Sequence, residues 1–349
     1  MGERTLTARE LNRAVLARQL LLERADLSPE RAVERVGGLQ TQYAPAAYVA
    51  LWSRLAGFRR AALTDALLAG RVVQAWVMRC TIHMVSAADF PPLTEAVREE
   101  RREWFRRTVP GAREIDMDAV AAEVRTLLGD GPRKQAEIQR HLEGAGFPKG
   151  AWQGVQLWLD LVRVPPAGTW GKPRAHVYGL ATGPLAAAVD PAAAREHLVR
   201  RYLGGFGPAS AKDVASFCGW TVGAAREVLG GMELRRFRDE AGGELLDPPD
   251  APLPAPDTPA PVRFLGQWDA VLLVHARRAQ VLPEEHRQRV FAVSMPQSVP
   301  TVLVDGQVAG SWRHVDGEVR VEEFTPLPVA RREEVAAEAE RLARWWAGG

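Results

Sequence analysis

The sequence predicts a mainly α-helical protein with β wings, built from three tandem winged-helix units and a C-terminal β-barrel-like domain. Two observations predict this class. Between residues 1 and 247, three helices followed by two short β segments occur three times, which is the order of elements in a winged helix. After residue 261 the pattern changes to short β-branched segments. The length of 349 residues is typical of two to three domains.

The first unit, residues 1–113, opens with a predicted capping box in which Thr7 is followed three residues later by Glu10. Leucine and valine then recur at helical spacing, which predicts the first helix. The other expected elements are a helix that begins at Pro29, a helix at about 45–55, a short fourth helix, and strands at 72–78 and 81–85.

The second unit, residues 114–188, and the third unit, residues 189–247, repeat this pattern. A turn-rich loop at 165–174 separates the two strands of the second unit. The expected elements are helices at about 117–128, 134–144, 150–159, 191–203, 210–217 and 221–230, and strands at 161–164, 176–178, 234–238 and 244–246. Three repeats of one pattern favour tandem units over a chance match.

The segment 248–261, PPDAPLPAPDTPAP, predicts a proline-rich linker. Residues 262–349 predict a small β-barrel or open sheet with one terminal helix. Asp305-Gly306 is typical of a tight hairpin turn within it. The expected elements are strands at 271–274, 290–293, 301–304, 307–311 and 318–322, and a helix at about 329–346.

Composition places the chain among ordinary folded proteins, with 25% charged residues. The longest apolar runs are far shorter than the roughly 20 residues that a membrane span needs. Cys80 and Cys218 are too few for a disulfide framework or a four-cysteine zinc site. We therefore expect a reduced, cytoplasmic, bacterial-type protein without a membrane segment.

Arginine dominates the positive charge, with 41 arginines and four lysines. A GC-rich genome explains such a bias, and phosphate binding by the planar guanidinium is the functional alternative. Residues 1–110 hold 17 Arg and 12 Asp plus Glu. This segment ends in a cluster of five arginines, namely Arg98, Arg101, Arg102, Arg106 and Arg107. The local excess of positive charge indicates a nucleic-acid partner.

Several enzyme classes are excluded because their motifs are absent from the sequence. It has no glycine-rich phosphate loop, no HExxH or CxxC motif, and no Gly-x-Ser-x-Gly. The polar stretch Gln40-Thr41-Gln42 lies between two predicted helices. In an extended backbone both amides project to one side, where their donors and acceptors can hold a water molecule. Capping of the neighbouring helix ends is the structural alternative.

Arg79-Cys80-Thr81-Ile82-His83 forms a second polar cluster at the first predicted hairpin. His83 alternates with apolar neighbours, which favours a hydrogen-bonded core histidine. Arg79 beside a turn is typical of a solvated or phosphate-binding side chain. Trp170, in the basic loop of the second unit, suits a wedge or groove contact with DNA. The alternative for Trp170 is a wing that folds back onto its own domain.

Four stretches of the chain resemble the AlkZ/YcaQ family of winged-helix bacterial DNA glycosylases. They are Gln40-Thr41-Gln42, residues 79–83 (family pattern Arg-Gly-Thr-Leu-His), residues 207–213 and residues 303–313. The similarity covers about residues 6–313, and the Gln-x-Gln form is similar to the AlkZ branch. Cys80 stands where the family pattern has glycine.

The resemblance implies a C-shaped scaffold of three winged helices and a C-terminal β domain around a DNA channel. It implies excision of N7-alkylated purines from double-stranded DNA, including bulky adducts and interstrand crosslinks, commonly for self-resistance to a DNA-alkylating natural product. It implies no metal or cofactor. The expected form is a monomer that joins the nucleoid when bound to DNA. The alternative is a non-enzymatic winged-helix DNA-binding protein, either a regulator or a lesion-sequestering resistance factor.

The resemblance also suggests roles for individual residues. An N7-alkylated purine is cationic and leaves with little protonation, while the sugar gains oxocarbenium character. Glutamine can orient a water molecule and stabilise positive charge through its carbonyl oxygen, so we expect Gln40 and Gln42 to be catalytic. We expect Arg79, Thr81 and His83 near the site. The expected DNA contacts are Arg54, Arg59, Trp170, Lys172, Arg174, Ser210 and Lys212.

Overall fold

The computed structural model describes residues 3–274, 279–291 and 298–348, which form a mostly helical protein with three β sheets. Helices begin where the sequence supplies caps. Thr7 and Glu10 make the expected capping box, and the Asp116 and Asp190 side chains each accept from a backbone N–H in the first turn of their helices. No helix in these ranges is long and apolar enough to cross a membrane.

The first unit contains the hairpin that the sequence predicts, preceded by two additional short strands. Its elements are β1 (Thr5–Leu6), α1 (Ala8–Arg18), α2 (Pro29–Arg35), β2 (Leu39–Gln40), α3 (Ala44–Arg54), α4 (Arg60–Leu68), β3 (Val72–Trp76), β4 (Ile82–Ser86), α5 (Phe90–Ala96) and α6 (Arg98–Thr108). β3 and β4 pair antiparallel, and β2 adds to the other side of β4. The polar stretch that begins at Gln40 therefore lies at a sheet edge.

The second unit continues this sheet. Its elements are α7 (Met117–Gly129), β5 (Arg133–Lys134), α8 (Gln135–Gly144), α9 (Ala151–Trp158), β6 (Leu161–Arg163) and β7 (Val177–Leu180). β3 pairs with β6 through Gln74 and Arg163, so the two hairpins merge into one six-stranded sheet of order β2-β4-β3-β6-β7-β5. The sequence pattern predicted both hairpins, but it did not predict that β3 and β6 pair to join them into one sheet.

The third unit packs on the first. Its elements are α10 (Pro191–Phe206), α11 (Ala211–Cys218), α12 (Val222–Gly230), β8 (Arg235–Asp239) and β9 (Glu244–Asp247). β1 pairs in parallel with β8, and α10 packs against α5. One buried cluster joins Val15 of α1, Phe90 of α5 and Tyr202 of α10, so the first and third units share a hydrophobic core.

The proline-rich segment 248–261 is tied to α1 by arginine side chains. Arg18 donates to the carbonyl of Pro252 at 2.9 Å, and Arg9 donates to that of Pro256 at 2.7 Å. Proline has no N–H, so the carbonyls of such a segment have few backbone partners and remain open to side-chain donors. This segment therefore forms a fixed strap across α1 in the folded protein.

The C-terminal part is an open sheet, and the barrel-like form expected from the sequence is absent from the described residues. Its elements are β10 (Arg263–Leu265), α13 (Arg287–Val290), β11 (Thr301–Val304), β12 (Gln307–Val315), β13 (Glu318–Glu323) and α14 (Val329–Gly348). The four strands pair antiparallel in the order β10-β11-β12-β13. Tyr48, Phe264, Trp312 and Leu342 share one core, which joins α3 to this sheet and to α14.

Two strand predictions in this region fail. Residues 270–272 form a turn of 3-10 helix, because the Asp269 side chain accepts from the Val271 N–H and caps it. Of the strand expected at 290–293, Val290 ends α13 and Phe291 makes only an isolated bridge to Ser298. Residues 292 and 293 lie outside the described residues. Apolar runs of this length do not distinguish a strand from a short buried helix.

Candidate active site

Gln40 ends the edge strand of the six-stranded sheet, and Gln42 lies two residues later in the bend before α3. Gln40 pairs with His83 of β4, and the Thr41 N–H donates to the Ile82 carbonyl at 2.8 Å. Thr41 is fully buried, whereas Gln40 is half-buried and Gln42 is exposed. This alternation places both glutamines on the solvent side of the segment. Strand pairing thus brings together two motifs that are 40 residues apart in the chain.

Helix capping does not explain the two glutamines. α2 ends with Val36 as its C-cap, and the N-cap of α3 is Tyr43. Gln40 and Gln42 therefore lie between the caps, on the backbone that joins the two helices. Gln40 is extended in β2, as the sequence interpretation required, whereas Gln42 lies in the bend that leads into α3.

Arg79 fixes the orientation of the Gln40 amide. Its Nη2 donates to Gln40 Oε1 at 2.5 Å. A guanidinium has only donors, so the amide must turn its oxygen toward Arg79 and its NH₂ group away. The Arg79 guanidinium also lies 5.4 Å from the ring centroid of Phe217 in α11, a cation–π distance. The third unit therefore supports a residue of the first unit at this site.

The turn that carries Arg79 is strained. Arg79 and Cys80 both adopt left-handed backbone conformations, with φ of 52°. Such conformations cost non-glycine residues roughly 1 kcal/mol or more. The turn is closed by the Thr81 N–H, which donates to the Met78 carbonyl at 3.1 Å. Its shape directs the Arg79 side chain to Gln40.

His83 is a buried neutral histidine, as its apolar neighbours predicted. Its Nδ1 lies 3.0 Å from the Thr81 carbonyl, so Nδ1 carries the proton in this hydrogen bond. Burial, with the nearby charges of Arg79 and Arg101, lowers the pKa of His83 to about 3. His83 therefore stays uncharged at neutral pH and holds β4 beside Gln40.

Comparison with known proteins places the chain in a family. The model of the family described as DNA glycosylase AlkZ-like matches residues 33–345. The chain belongs to the AlkZ-like DNA glycosylase family. It is therefore a DNA glycosylase, which confirms the resemblance drawn from the four motifs and favours an enzyme over a non-enzymatic DNA-binding protein.

A curated relative and a solved structure, both of AlkZ from Streptomyces sahachiroi, are similar to this chain. The curated relative, named interstrand DNA cross-link repair glycosylase, is 26% identical over 368 residues and covers 94% of each chain. The solved structure of the DNA glycosylase AlkZ matches with a TM-score of 0.82 at 22% identity, over 97% of each chain. The structural match shows that the fold of this glycosylase is that of AlkZ.

Most of the arginine cluster at 98–107 serves the fold of this glycosylase. Arg98 pairs with Asp160 at 3.1 Å, and Arg102 pairs with Glu99 at 3.0 Å. Arg101 is buried beside Cys80, and burial lowers its pKa. Its proximity to the strained turn was not evident from the sequence, because helical spacing alone does not show which turn a helix packs against.

The predicted phosphate contact at Arg54 is wrong, because its side chain is fully buried. Arg54 forms two hydrogen bonds of 2.9 Å with the carboxylate of Asp269, and it also donates to the Ala50 carbonyl. This ion pair joins α3 to the C-terminal part of the chain. A side chain held in this way cannot reach a DNA phosphate.

Trp170 is not the free wedge considered from the sequence, because its ring packs on α3 and α14, outside its own unit. Its ring centroid lies 4.8 Å from that of Trp346 and 5.5 Å from that of Tyr48. The Arg60 guanidinium lies 4.5 Å from the Trp170 ring centroid. The backbone N–H of Trp170 donates to the Tyr48 hydroxyl at 3.1 Å. The indole therefore fastens the loop to α3 and α14.

The remaining predicted DNA contacts divide into one capping residue and four exposed cations. Ser210 makes a capping box with Asp213 at the start of α11, so its hydroxyl is already engaged in the fold. The exposed cations are Arg59, Lys172, Arg174 and Lys212. These four side chains stay available for phosphate contacts.

Proposed function

We propose that this glycosylase hydrolyses the N-glycosidic bond of N7-alkylated purines in double-stranded DNA, including bulky adducts and interstrand crosslinks. The observation that carries the proposal is the segment at the sheet edge on which Gln40 is half-buried and Gln42 is exposed, with Arg79 hydrogen-bonded to Gln40. The name of the Streptomyces sahachiroi relative, a crosslink repair glycosylase, supports the substrate class.

The chemistry of such a lesion suits amides. Alkylation at N7 makes the purine cationic, so the electron pair of the breaking C1′–N9 bond neutralises the leaving base. The sugar gains positive charge as the bond breaks. Water then bonds to C1′ and releases a proton to the solvent. Glutamine is uncharged near neutral pH, and it therefore contributes orientation and dipole stabilisation.

The two glutamines divide this work. Because the Gln40 oxygen faces Arg79, its NH₂ group is the part that can donate to the oxygen of an attacking water. Gln42 is exposed and free to turn its carbonyl oxygen toward the water hydrogens or the positive sugar. This refines the role expected from the sequence, in which Gln40 and Gln42 together position a water molecule and stabilise positive charge.

The scaffold is consistent with a lesion that stays outside a closed pocket. A crosslinked base cannot be flipped into an enclosed site in the manner of ordinary base-flipping enzymes. We retain the interpretation of three winged-helix units around a DNA channel in a monomer, with Arg59, Lys172, Arg174 and Lys212 as phosphate contacts. Self-resistance to a DNA-alkylating natural product is part of the same proposal.

A single-turnover base-release assay tests the catalytic proposal. Duplexes that contain N7-methylguanine or an N7 crosslink are incubated with the wild type and with Gln40→Ala, Gln42→Ala and Arg79→Ala variants. Each glutamine variant should lose roughly 10- to 1000-fold in rate, the scale of a lost transition-state hydrogen bond. DNA affinity should stay within about threefold of the wild type, since neither glutamine is expected to bind phosphate.

An exposed glutamine in α13, Gln288, supplies the matched control. Gln288→Ala should release base at the wild-type rate. Equal rates in the Gln40 and Gln42 variants would refute their role even if the wild type is active. Crosslink unhooking without methylguanine release would indicate an enzyme dedicated to one toxin, as self-resistance requires.

A further inference from the structure

Tyr43 is exposed beside the candidate site. Among the described residues, only two aromatic side chains are exposed, Tyr43 and Trp104, each at 37% of its full accessible surface. Tyr43 follows Gln42 directly in the chain. Exposed aromatic rings of this kind are common at binding surfaces, because a large rigid ring gives contact area at a small entropic cost.

The local fold gives no reason for a tyrosine at this position. Tyr43 is the N-cap residue of α3, yet its side chain makes no capping hydrogen bond. Serine, threonine, asparagine or aspartate would stabilise the helix start better. The Tyr43 side chain also makes no hydrogen bond or ring contact with the described residues. A residue that departs from the local rule without a structural gain is typical of a functional position.

The face of a phenol ring is electronegative and attracts cations. The substrate class proposed above has a positive charge on the purine, which distinguishes it from the undamaged bases of DNA. We propose that Tyr43 recognises the alkylated purine through a cation–π contact and so selects charged lesions. This inference rests on the proposed function, because it concerns the substrate of the same site.

The direction in which the charge moves determines what Tyr43 contributes. As the glycosidic bond breaks, the positive charge leaves the purine and develops on the sugar. A contact to the purine is therefore stronger in the bound lesion than in the transition state. Tyr43 should lower the enzyme concentration needed for half-maximal rate and should not raise the maximal single-turnover rate.

Equilibrium binding to two uncleaved duplexes tests the recognition directly. One duplex contains 2′-fluoro N7-methylguanosine, which is cationic and resists cleavage, and the other contains neutral 7-methyl-7-deazaguanosine of nearly the same shape. The wild type should prefer the cationic duplex by roughly 2- to 30-fold, the range for exposed to desolvated cation–π contacts. Tyr43→Leu should abolish this preference, and Tyr43→Phe should retain most of it.

Trp104→Leu is the matched control, since it removes the equally exposed ring in α6. It should retain the preference for the cationic duplex. An equal preference in wild type and Tyr43→Leu, or equal losses in Tyr43→Leu and Trp104→Leu, would overturn the proposal. The binding assay requires no turnover, so an inactive wild type that still prefers the cationic duplex would refute the proposed function and leave Tyr43 supported.

Discussion

Removal of Arg54 should destabilise the protein and leave its DNA contacts intact. Arg54 and Asp269 are both buried, with side chains 0% and 1% exposed, and share two hydrogen bonds of 2.9 Å. Arg54→Met leaves the Asp269 carboxylate buried without its cation, which typically costs about 3 to 5 kcal/mol. An unfolding entropy of about 2.1 cal/mol/K per residue over 349 residues converts this loss to a Tm decrease of about 5 °C.

Two assays separate this structural role from a phosphate contact. Calorimetry measures Tm, and a titration of DNA binding against salt measures the number of phosphates contacted. Loss of one phosphate contact reduces the salt slope by about 0.9, so Arg54→Met should leave that slope unchanged. Arg59→Ala, which removes an exposed cation at the start of α4, should show the reverse: an unchanged Tm and a slope lower by about 0.9.

The double variant Arg54→Met/Asp269→Leu completes the cycle. Replacement of both charges by apolar groups removes the unpaired carboxylate, so the double variant should be more stable than Arg54→Met, although it also lacks the Asp269 cap on Val271. The reasoning fails if Arg54→Met keeps the wild-type Tm while its salt slope drops by nearly one. It also fails if adding Asp269→Leu to Arg54→Met lowers the free energy of unfolding again by as much as Arg54→Met alone did.

Three further predictions concern the buried histidine, the loop that carries Trp170 and the capping serine. Because the pKa of His83 is lowered to about 3, the unfolded chain binds a proton below pH 6.5 that the folded chain does not. The free energy of unfolding should therefore fall by about 3 kcal/mol between pH 7 and 4.5 in urea titrations, and His83→Gln should reduce that fall. Trp170→Ala removes the packing against Trp346 and should cost roughly 3 kcal/mol, with faster proteolysis of the loop; an unchanged cleavage rate would contradict the packing argument. Ser210→Ala should cost about 1 kcal/mol through loss of its cap on Asp213, whereas a reduced salt slope would restore Ser210 as a phosphate contact.

The candidate site combines parts that the sequence revealed to different degrees. Gln40, Gln42, Arg79 and His83 were identified from their motifs and from the family resemblance. The hydrogen bond from Arg79 to Gln40 was not predictable, because the two residues are 39 positions apart and meet only through the pairing of β2 with β4. The sequence analysis did not propose a role for Tyr43, whose exposure depends on how the chain enters α3.

Most helices and the family of this glycosylase could be predicted from the chain alone, because capping residues, apolar spacing and short motifs are local signals. Thr7 and Glu10, for example, form the capping box that the sequence predicted at the start of α1. The folded structure was needed to show which charges are buried, how the two hairpins merge into one sheet and where the proline-rich strap lies. Arg54 and Arg59 look alike in the sequence, yet Asp269, 215 residues away from Arg54, makes the first a buried ion pair. Such long-range partners are set by packing between elements, and no local pattern encodes them.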